Sequence, residues 1–267
     1  MPKLIIANWK SNPSDLASAI KLAKAIDHKN VVIAAPFPYL PAVYKAIKKS
    51  ALGAQDLFWA DGPYTGEISA QDLKTLKVKY VIVGHSERRK NLKETDEMIN
   101  RKLKAALDGG LKAVLCVGES AAIRKKGIKE AKKFVKKQLI ADLKSLNSSA
   151  KGGSSSGGKF HILNSQLIVA YEPVWAISTE KGSKPDTPED AVEMIKFIKG
   201  ILNSSAKGGS SSGGKFHILN SKVLYGGSVT AKNAKAFLGR SEINGALVGS
   251  ASLKPNEFNK IVKSVIL

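Results

Sequence analysis

The sequence is short of cysteine, of aromatic residues and of long apolar runs, and each shortage excludes a class of protein. Its one cysteine, Cys116, has no partner for an internal disulfide, which fits a reducing compartment. No stretch approaches the roughly 20 apolar residues that a membrane-spanning helix needs. The start, Met1-Pro2-Lys3, leads into a short strand rather than into an apolar leader. We therefore expect a soluble, cytoplasmic protein with no membrane partner.

Acidic residues are scarce relative to basic ones. The 22 Asp and Glu are outnumbered by 43 Lys and Arg, so the net charge is +21. Such a charge is typical of proteins that bind nucleic acids. The lysines, however, fall in helical segments such as 128–144 and are not interleaved with aromatic residues, as a platform for single strands would require. We therefore expect a lysine-rich exterior that steers anionic substrates, and no nucleic acid; that alternative rests on charge alone.

Short apolar strands alternate with helical segments along the whole chain. Strict alternation predicts a parallel sheet with helices outside it. Eight strand–helix units in 267 residues favour a closed (β/α)8 TIM barrel, an α/β fold in a single domain over 1–267. An open doubly wound sheet is the alternative, but no Gly-x-Gly-x-x-Gly follows the first strand. The predicted strands are 4–10, 31–35, 51–57, 80–84, 112–117, 167–171, 223–225 and 245–248.

Helix ends are predicted from caps and breakers. Asn12 is predicted to cap a helix over about 13–26. Thr187 is predicted to cap a helix that begins at Pro188. A further helix is predicted to start near Glu94 and to end at Gly109-Gly110.

One feature breaks the alternation: residues 146–165 and 202–221 are identical, both reading LNSSAKGGSSSGGKFHILNS. The Gly/Ser-rich centre is typical of a flexible linker. Because the flanking segments are unlike each other, the copies are not units of a repeat architecture. We interpret them as engineered insertions in helix-to-strand loops. Each adds two lysines and no acid, so the host chain alone carries 21 − 4 = +17. One histidine per copy is too few for a metal site, and no metal is expected.

Charged and polar residues stand where several predicted strands end, and a (β/α)8 barrel has its active site at those ends. Any one of them alone would be an ordinary surface or loop residue, but their joint occurrence favours a catalytic site. Tight Gly/Ser turns after the last two strands leave backbone N–H groups that suit a phosphate. The strand-end residues are Asn8 and Lys10, His85-Ser86-Glu87, Glu172, Gly226-Gly227-Ser228 and Gly249-Ser250-Ala251-Ser252.

Several segments in this order together resemble triosephosphate isomerase. The resemblance covers the whole chain except the two insertions, and the combination of motifs is highly specific. The segments that carry it are Ala7-Asn8-Trp9-Lys10, Thr65-Gly66-Glu67-Ile68-Ser69, Gly84-His85-Ser86-Glu87-Arg88-Arg89, Cys116-Val117-Gly118-Glu119, Tyr171-Glu172-Pro173-Val174-Trp175-Ala176-Ile177, Tyr225-Gly226-Gly227-Ser228-Val229 and Gly245-Ala246-Leu247-Val248-Gly249.

The resemblance implies a role for each catalytic position. Glu172 would be the base that moves a proton between C1 and C2 of a triose phosphate, and neutral His85 would polarise the carbonyl. Lys10 would stabilise the enediolate and the phosphate. Asn8 would place the substrate, and Glu87 would orient the region of Lys10 and His85. This division of roles is the known one for the family.

The resemblance also implies a phosphate site, a lid and a partner. Ser228, Gly249 and Ser250 would complete the phosphate cradle, and residues 173–183 would form a closing lid whose backbone at Ser178 reaches the phosphate. The loop 58–69 would insert into a second copy and make a homodimer. The enzyme would need no cofactor and would serve glycolysis and gluconeogenesis.

The sequence departs from the family mainly in the lid. Ser178 and Glu180 stand where the family usually has glycine, and Gly182 loosens the far hinge. The N–H of Ser178 remains for the phosphate, whereas Glu180 adds a negative charge. Ser250 also replaces a usual glycine, and again only its N–H is needed. These departures bear on lid dynamics and turnover rather than on the reaction.

A second hypothesis of another class rests on the identical pair of insertions. The chain would be an engineered barrel scaffold that displays or tethers them, with catalysis retained or impaired. Both copies fall on the face opposite the predicted active site. Such insertions cost little, since each doubling of loop length adds only about 0.6 kcal/mol.

Overall fold

The computed structural model describes residues 2–147, 166–177, 185–203 and 221–265. Its strands pair in parallel in chain order, and the first also pairs with the last, so the sheet is a closed barrel. This confirms the predicted (β/α)8 fold. The strands are β1 Leu4–Asn8, β2 Val31–Ala34, β3 Ala51–Ala54, β4 Tyr80–Val83, β5 Lys112–Val117, β6 Leu167–Tyr171, β7 Lys222–Tyr225 and β8 Gly245–Val248.

Helices surround the barrel. None of them in the described part of the chain is long and apolar enough to cross a membrane. The helices are α1 Leu16–Ala25, α2 Leu40–Ala46, α3 Ala70–Thr75, α4 Ser86–Asn91, α5 Asp96–Asp108, α6 Ala121–Arg124, α7 Ile128–Asp142, α8 Pro188–Leu202, α9 Ala234–Leu238 and α10 Pro255–Lys263. Short 3₁₀ turns cover Phe37–Tyr39, Lys144–Asn147, Val174–Ala176 and Ser250–Leu253.

The core has two apolar layers because successive strand residues point to opposite faces. In β1, Leu4 and Ile6 belong to the cluster inside the barrel, whereas Ile5 and Ala7 belong to the layer between barrel and helices. Both layers are filled by buried aliphatic side chains. The packed interior leaves the strand ends as the place for polar groups.

Two helix starts test the predicted caps. The prediction for Asn12 is wrong, because α1 is capped by Asp15, whose Oδ1 accepts the N–H of Ser18 at 2.8 Å. The Asn12 amide instead donates to the carbonyl of Trp9 at 3.2 Å. Thr187 is confirmed as the cap of α8, since its hydroxyl accepts the N–H of Asp190 at 3.1 Å.

Three of the four ends of the two identical segments are part of the host fold. Leu202, the first residue of the second copy, is fully buried at the end of α8, and Ser221, its last residue, is also buried. Leu146, the first residue of the first copy, packs against the main apolar layer. The centres of the copies, 148–165 and 204–220, lie outside the described residues.

Candidate active site

One cavity at the carboxyl ends of the strands gathers most of the predicted site. Seven of the predicted residues line it: Asn8, Lys10, His85, Glu172, Ser228, Gly249 and Ser250. Glu87 lies beside this cavity and pairs with the Lys10 ammonium. Ser178, together with the lid positions Glu180 and Gly182, lies outside the described residues.

Glu172 and His85 are in direct contact. The carboxylate Oε1 of Glu172 lies 3.0 Å from Nε2 of His85, and its Oε2 accepts the backbone N–H of Ser86 at 2.9 Å. Glu172 follows β6 and His85 follows β4, so the closure of the barrel brings them together. Both side chains are buried. Water is thus largely excluded from the contact between an acid and an imidazole.

The hydrogen bonds of His85 define its tautomer. The backbone N–H of Glu87 donates to Nδ1 at 3.2 Å, so Nδ1 is an acceptor and the ring proton lies on Nε2, facing Glu172. Burial lowers the pKa of His85, but the Glu172 and Glu87 carboxylates together outweigh burial and raise that pKa above its ordinary value. The Glu87 N–H at Nδ1 fixes the neutral tautomer of the ring as the one with its proton on Nε2.

Glu172 is ionised. Burial by itself raises the pKa of this carboxyl group, but the His85 ring and the Ser86 N–H hold the pKa below its ordinary value. Burial and the nearby Glu172 carboxylate raise the pKa of the Cys116 thiol, so the thiol stays protonated. A buried, ionised carboxylate beside a hydrogen-bond donor is able to accept a proton.

Lys10 is held in an unusual backbone conformation. Its φ is 54°, in the left-handed region that non-glycine residues seldom adopt. The side-chain oxygen of Asn8 accepts its N–H at 3.1 Å, and the amide of Gln55 donates to its carbonyl at 2.8 Å. Gln55 donates as well to the carbonyl of Ala34 at 2.9 Å, which ties this turn to β2. The ammonium therefore projects into the cavity from a fixed base.

Two glycines allow the turn after β6 to approach its neighbours. A Cβ on Gly118 would lie 1.7 Å from the carbonyl oxygen of Glu172, and one on Gly226 would lie 2.9 Å from its Cγ. The N–H of Gly226 donates to the carbonyl of Tyr171 at 2.7 Å. Only glycine fits at either position without moving Glu172.

The turns after β7 and β8 present backbone donors to the cavity. Within the described part of the chain, the N–H groups of Gly227 and Ser228 have no hydrogen-bond acceptor, and Ser250 begins a 3₁₀ turn, where N–H groups are left free. A Cβ on Gly249 would lie 3.6 Å from Cε of Lys10, so this turn adjoins the ammonium. Free N–H groups beside a cation form a suitable site for a phosphate.

Sequence reasoning missed several residues that shape the site. Gly118 entered only as part of a motif, Gln55 was not singled out, and Ser86 was not singled out for its N–H. The rule used for the other strand ends would have found Gly118, because it directly follows β5. Ile177 and Leu247 line the cavity as its apolar wall, and no local signal distinguishes them from core residues.

A buried carboxylate supports the base of the turn beyond Glu172. Glu119 accepts hydrogen bonds from the hydroxyl of Tyr171 at 3.0 Å and from the indole of Trp175 at 2.9 Å. Its backbone carbonyl accepts the N–H of Val174 at 3.1 Å. Burial raises the pKa of Glu119, but these donors still satisfy its oxygens. The first residues after β6 are therefore rigidly held.

A closed (β/α)8 barrel with an acid, an imidazole, an ammonium group and free N–H groups around one cavity is the architecture of a barrel enzyme. Comparison with known proteins identifies the family within this class. A family model described as triosephosphate isomerase matches residues 3–265.

Individual relatives agree with the family model. The chain is 40% identical to the triosephosphate isomerase of Dictyoglomus thermophilum, over 98% of this chain and 99% of that protein. It is 40% identical to that of Caldanaerobacter subterraneus over 97% and 98%, and 38% identical to that of Aquifex aeolicus over 99% and 100%. The chain belongs to the triosephosphate isomerase family.

Proposed function

We propose that Glu172 and His85 carry out the proton transfers of this enzyme and that Lys10 stabilises the charge that develops. The chain is an isomerase that interconverts D-glyceraldehyde 3-phosphate and dihydroxyacetone phosphate through an enediolate, the reaction of glycolysis and gluconeogenesis. The observation that carries the assignment is the 3.0 Å contact between His85 Nε2 and Glu172 Oε1 in a buried cavity lined by Lys10.

The first step is removal of a proton from the carbon next to the carbonyl. At 3.0 Å, the Glu172 carboxylate leaves no room for a carbon atom between itself and His85. Substrate binding must therefore separate the two side chains and release Glu172 from the Ser86 N–H. The freed carboxylate then accepts the C–H proton and returns it to the neighbouring carbon, which completes the isomerisation.

His85 supplies the electrophile. With its proton on Nε2, the neutral ring donates to the carbonyl oxygen of the substrate as negative charge grows there. The Glu87 N–H at Nδ1 keeps the ring in this tautomer. A neutral imidazole can give up the Nε2 proton and retrieve it from the other oxygen, so the same ring serves both oxygens of the enediolate.

Lys10 places a positive charge where the intermediate and the phosphate are negative. In the structure its ammonium is paired with Glu87 at the edge of the cavity. Asn8 and Gln55 fix its backbone, so little reorganisation is needed when an anion arrives. The N–H groups at Gly227, Ser228 and Ser250 hold the phosphate beside it.

We propose a lid over residues 173–183 with the N–H of Ser178 on the phosphate. Exclusion of water suits an enediolate, which would otherwise lose its phosphate. The rigid attachment of Trp175 and Val174 to Glu119 supports a fixed near end for the lid.

A coupled assay with each triose phosphate at neutral pH tests the proposed function. We expect turnover in both directions with no added metal or cofactor. Failure of the purified, folded chain to convert either substrate would contradict it.

The chain is also proposed to be a homodimer joined by the loop 58–69. The rings of Phe58 and Tyr64 pack at an angle of 48° with centres 4.6 Å apart, and Arg101 lies 4.5 Å over Trp59, so the loop presents a preformed aromatic tip. Tyr64 and Leu92 are exposed apolar side chains. A second cavity beside Lys10, of a size to accept such a tip, is lined by Asn8, Lys10, Ser11, Gln55, His85, Glu87, Arg88, Asn91 and Leu92.

Light scattering after size exclusion tests the dimer. The wild type should have twice the chain mass, and Leu92→Asp should have the mass of one chain. Leu16→Asp, a substitution of a similarly exposed leucine on α1, is the control and should remain dimeric. A wild-type chain that elutes as a monomer would contradict the assembly.

A second proposal concerns the identical segments. We propose that 146–165 and 202–221 are engineered insertions into loops of one domain, 1–267, and that the barrel acts as a cytoplasmic scaffold for them while it remains an enzyme. The ends of the second copy, Leu202 and Ser221, support this, because both are buried in the host fold and flank the connection from α8 to β7. This connection lies at the opposite end of the strands from Glu172.

A further inference from the structure

The short helix α4 carries donors for both catalytic side chains. The N–H of Ser86 reaches Glu172 at 2.9 Å, and the N–H of Glu87 reaches Nδ1 of His85 at 3.2 Å. Yet none of the six residues of α4 is buried. Apolar packing therefore does not fix the position of this helix, and something else must.

Arg89, on α4, makes four polar contacts with the surrounding elements. Its Nη1 lies 2.5 Å from Asp96 at the start of α5, and its Nη2 lies 2.6 Å from Asp142 at the end of α7. Its Nε donates to the carbonyl of Gly84 at 2.9 Å, and Nη2 also donates to the carbonyl of Cys116 at 3.3 Å. The side chain is 15% exposed, so water screens these contacts poorly.

The two carbonyls belong to the frame of the site. Gly84 directly precedes His85 and has a φ of 72°, so its peptide orientation sets the direction in which His85 leaves β4. Cys116 lies in β5, next to Val117, whose carbonyl accepts the N–H of Glu172 at 2.8 Å. Arg89 thus links the residue before the electrophile to the strand behind the base.

Arg88, the neighbouring arginine, has different contacts. It pairs with Asp56 at 2.7 Å and with Glu94 at 2.7 Å, and Lys102 bridges the same two acids. The structure records no contact of the Arg88 guanidinium with a strand-end carbonyl in the described part of the chain. Of these two arginine side chains, only that of Arg89 bonds to the backbone beside His85.

We propose that Arg89 is a positioning residue: its guanidinium holds α4 and the Gly84–His85 peptide so that His85 Nε2 and the Ser86 N–H face Glu172. The proposal rests on the proposed roles of His85 and Glu172. The planar guanidinium of Arg89 is required, because a single ammonium group cannot bond to two carboxyl groups and two carbonyls in fixed directions.

The test compares Arg89→Met and Arg89→Lys with Arg240→Met, a control that removes an arginine from an exposed pair with Glu189. For Arg89→Met we expect kcat to fall about 100-fold with KM within about threefold, as for a small misplacement of catalytic groups. Arg89→Lys should lose about tenfold in kcat, because it keeps the charge but not the fork. Arg240→Met should keep the wild-type kcat.

Active-site titration corrects each kcat for the folded fraction. If Arg89→Met does not fold, Arg89→Lys decides. A folded variant with kcat within about twofold of wild type would overturn the proposal, and so would a loss fully explained by the unfolded fraction.

Nitrogen NMR of histidine-labelled protein gives a readout independent of turnover. The His85 ring signals, identified with His85→Gln, should shift in Arg89→Lys and stay unchanged in Arg240→Met. Unchanged His85 signals in Arg89→Lys would overturn the positioning role. An inactive wild type would refute the proposed function, whereas the NMR comparison would still test the positioning role of Arg89.

Discussion

The two halves of the proposed catalytic pair, His85 and Glu172, are held in different ways. His85 stands at the head of a helix without buried residues, and polar contacts of the Arg89 guanidinium with Asp96 and Asp142 fix that helix. Glu172 leaves a buried strand, and neighbouring backbone packs directly against it at Gly118 and Gly226, with little room for any side chain. One half is positioned by electrostatics and the other by shape.

This difference predicts how each half fails. A site held by shape tolerates changes of pH and salt but not added atoms, because packed interiors cannot absorb a methyl group. A site held by buried ionisable groups tolerates small changes in volume, but it depends on the protonation of those groups. Substitutions around Glu172 should therefore be sensitive to added volume, whereas substitutions around His85 should be sensitive to pH.

The largest effect is expected from Glu172→Gln. This variant keeps the shape of the residue and its packing but removes the base, so kcat should fall roughly 10²–10⁴-fold. Thermal unfolding should change little, which would show that the loss is chemical. Near-normal turnover in a steady-state assay would contradict the role of Glu172.

Gly118→Ala should break the half that is held by shape. Its Cβ would lie 1.7 Å from the carbonyl oxygen of Glu172, so the strand ends must move apart. We expect a loss of about 3–5 kcal/mol in the free energy of unfolding, measured with urea, together with lost turnover.

Gly200→Ala is the matched control for this steric effect. No atom lies within 4 Å of a Cβ at this helical position. The variant should gain about 0.5–1 kcal/mol, because alanine favours helix over glycine. Equal stability of the two variants would argue against a steric role for Gly118.

The half that is held by charge should respond to pH through Asp142. Burial raises the pKa of this carboxyl group from 3.8 to about 8. The folded state thus keeps a proton that the unfolded chain releases. The stabilisation is complete below about pH 4 and is lost as the pH rises through about 8.

Asp142→Asn cannot ionise and should lack this loss. The free energy of unfolding of the wild type should therefore fall relative to that of the variant, by a few kcal/mol, between about pH 4 and 8. A wild type that gains stability over Asp142→Asn as the pH rises would contradict the assignment.

The smallest effect is expected when residues 148–165 and 204–220 are replaced by short Gly/Ser linkers, a change that keeps the buried ends Leu202 and Ser221. The replaced segments connect to the ends of the strands opposite the catalytic pair, and long loops add little free energy. kcat/KM should stay within roughly a few fold of that of the full chain. A collapse of activity would show that the segments shape the barrel or its assembly.

The strands could be predicted closely because burial on both faces makes them continuous apolar runs. The bounds of β5, β6 and β8 agree with those predicted from the sequence. The proposed catalytic residues were inferred from the strand ends and from motifs, and the structure brings most of them to one cavity. Helix α4 could not be predicted, because it has no apolar periodicity. Its position depends on contacts of Arg89 with Asp96 and with Asp142, and Asp142 is distant from Arg89 in the sequence.

The prediction for the start of α1 failed for a local reason. Asn12 and Asp15 are both good caps, and sequence alone does not decide between them. Asp15 is followed by Ser18, whose N–H and hydroxyl both bond to its carboxylate, and this second bond settles the choice.

Because the backbone of Lys10 is left-handed, selection for stability and selection for activity favour different residues at position 10. A side chain in this conformation costs roughly 1–2 kcal/mol, which glycine would not. A library screened only for heat resistance should therefore enrich glycine at position 10, and a library screened for growth on the reaction should reject it. The presence of lysine at position 10 therefore indicates that activity, rather than stability, determined this residue.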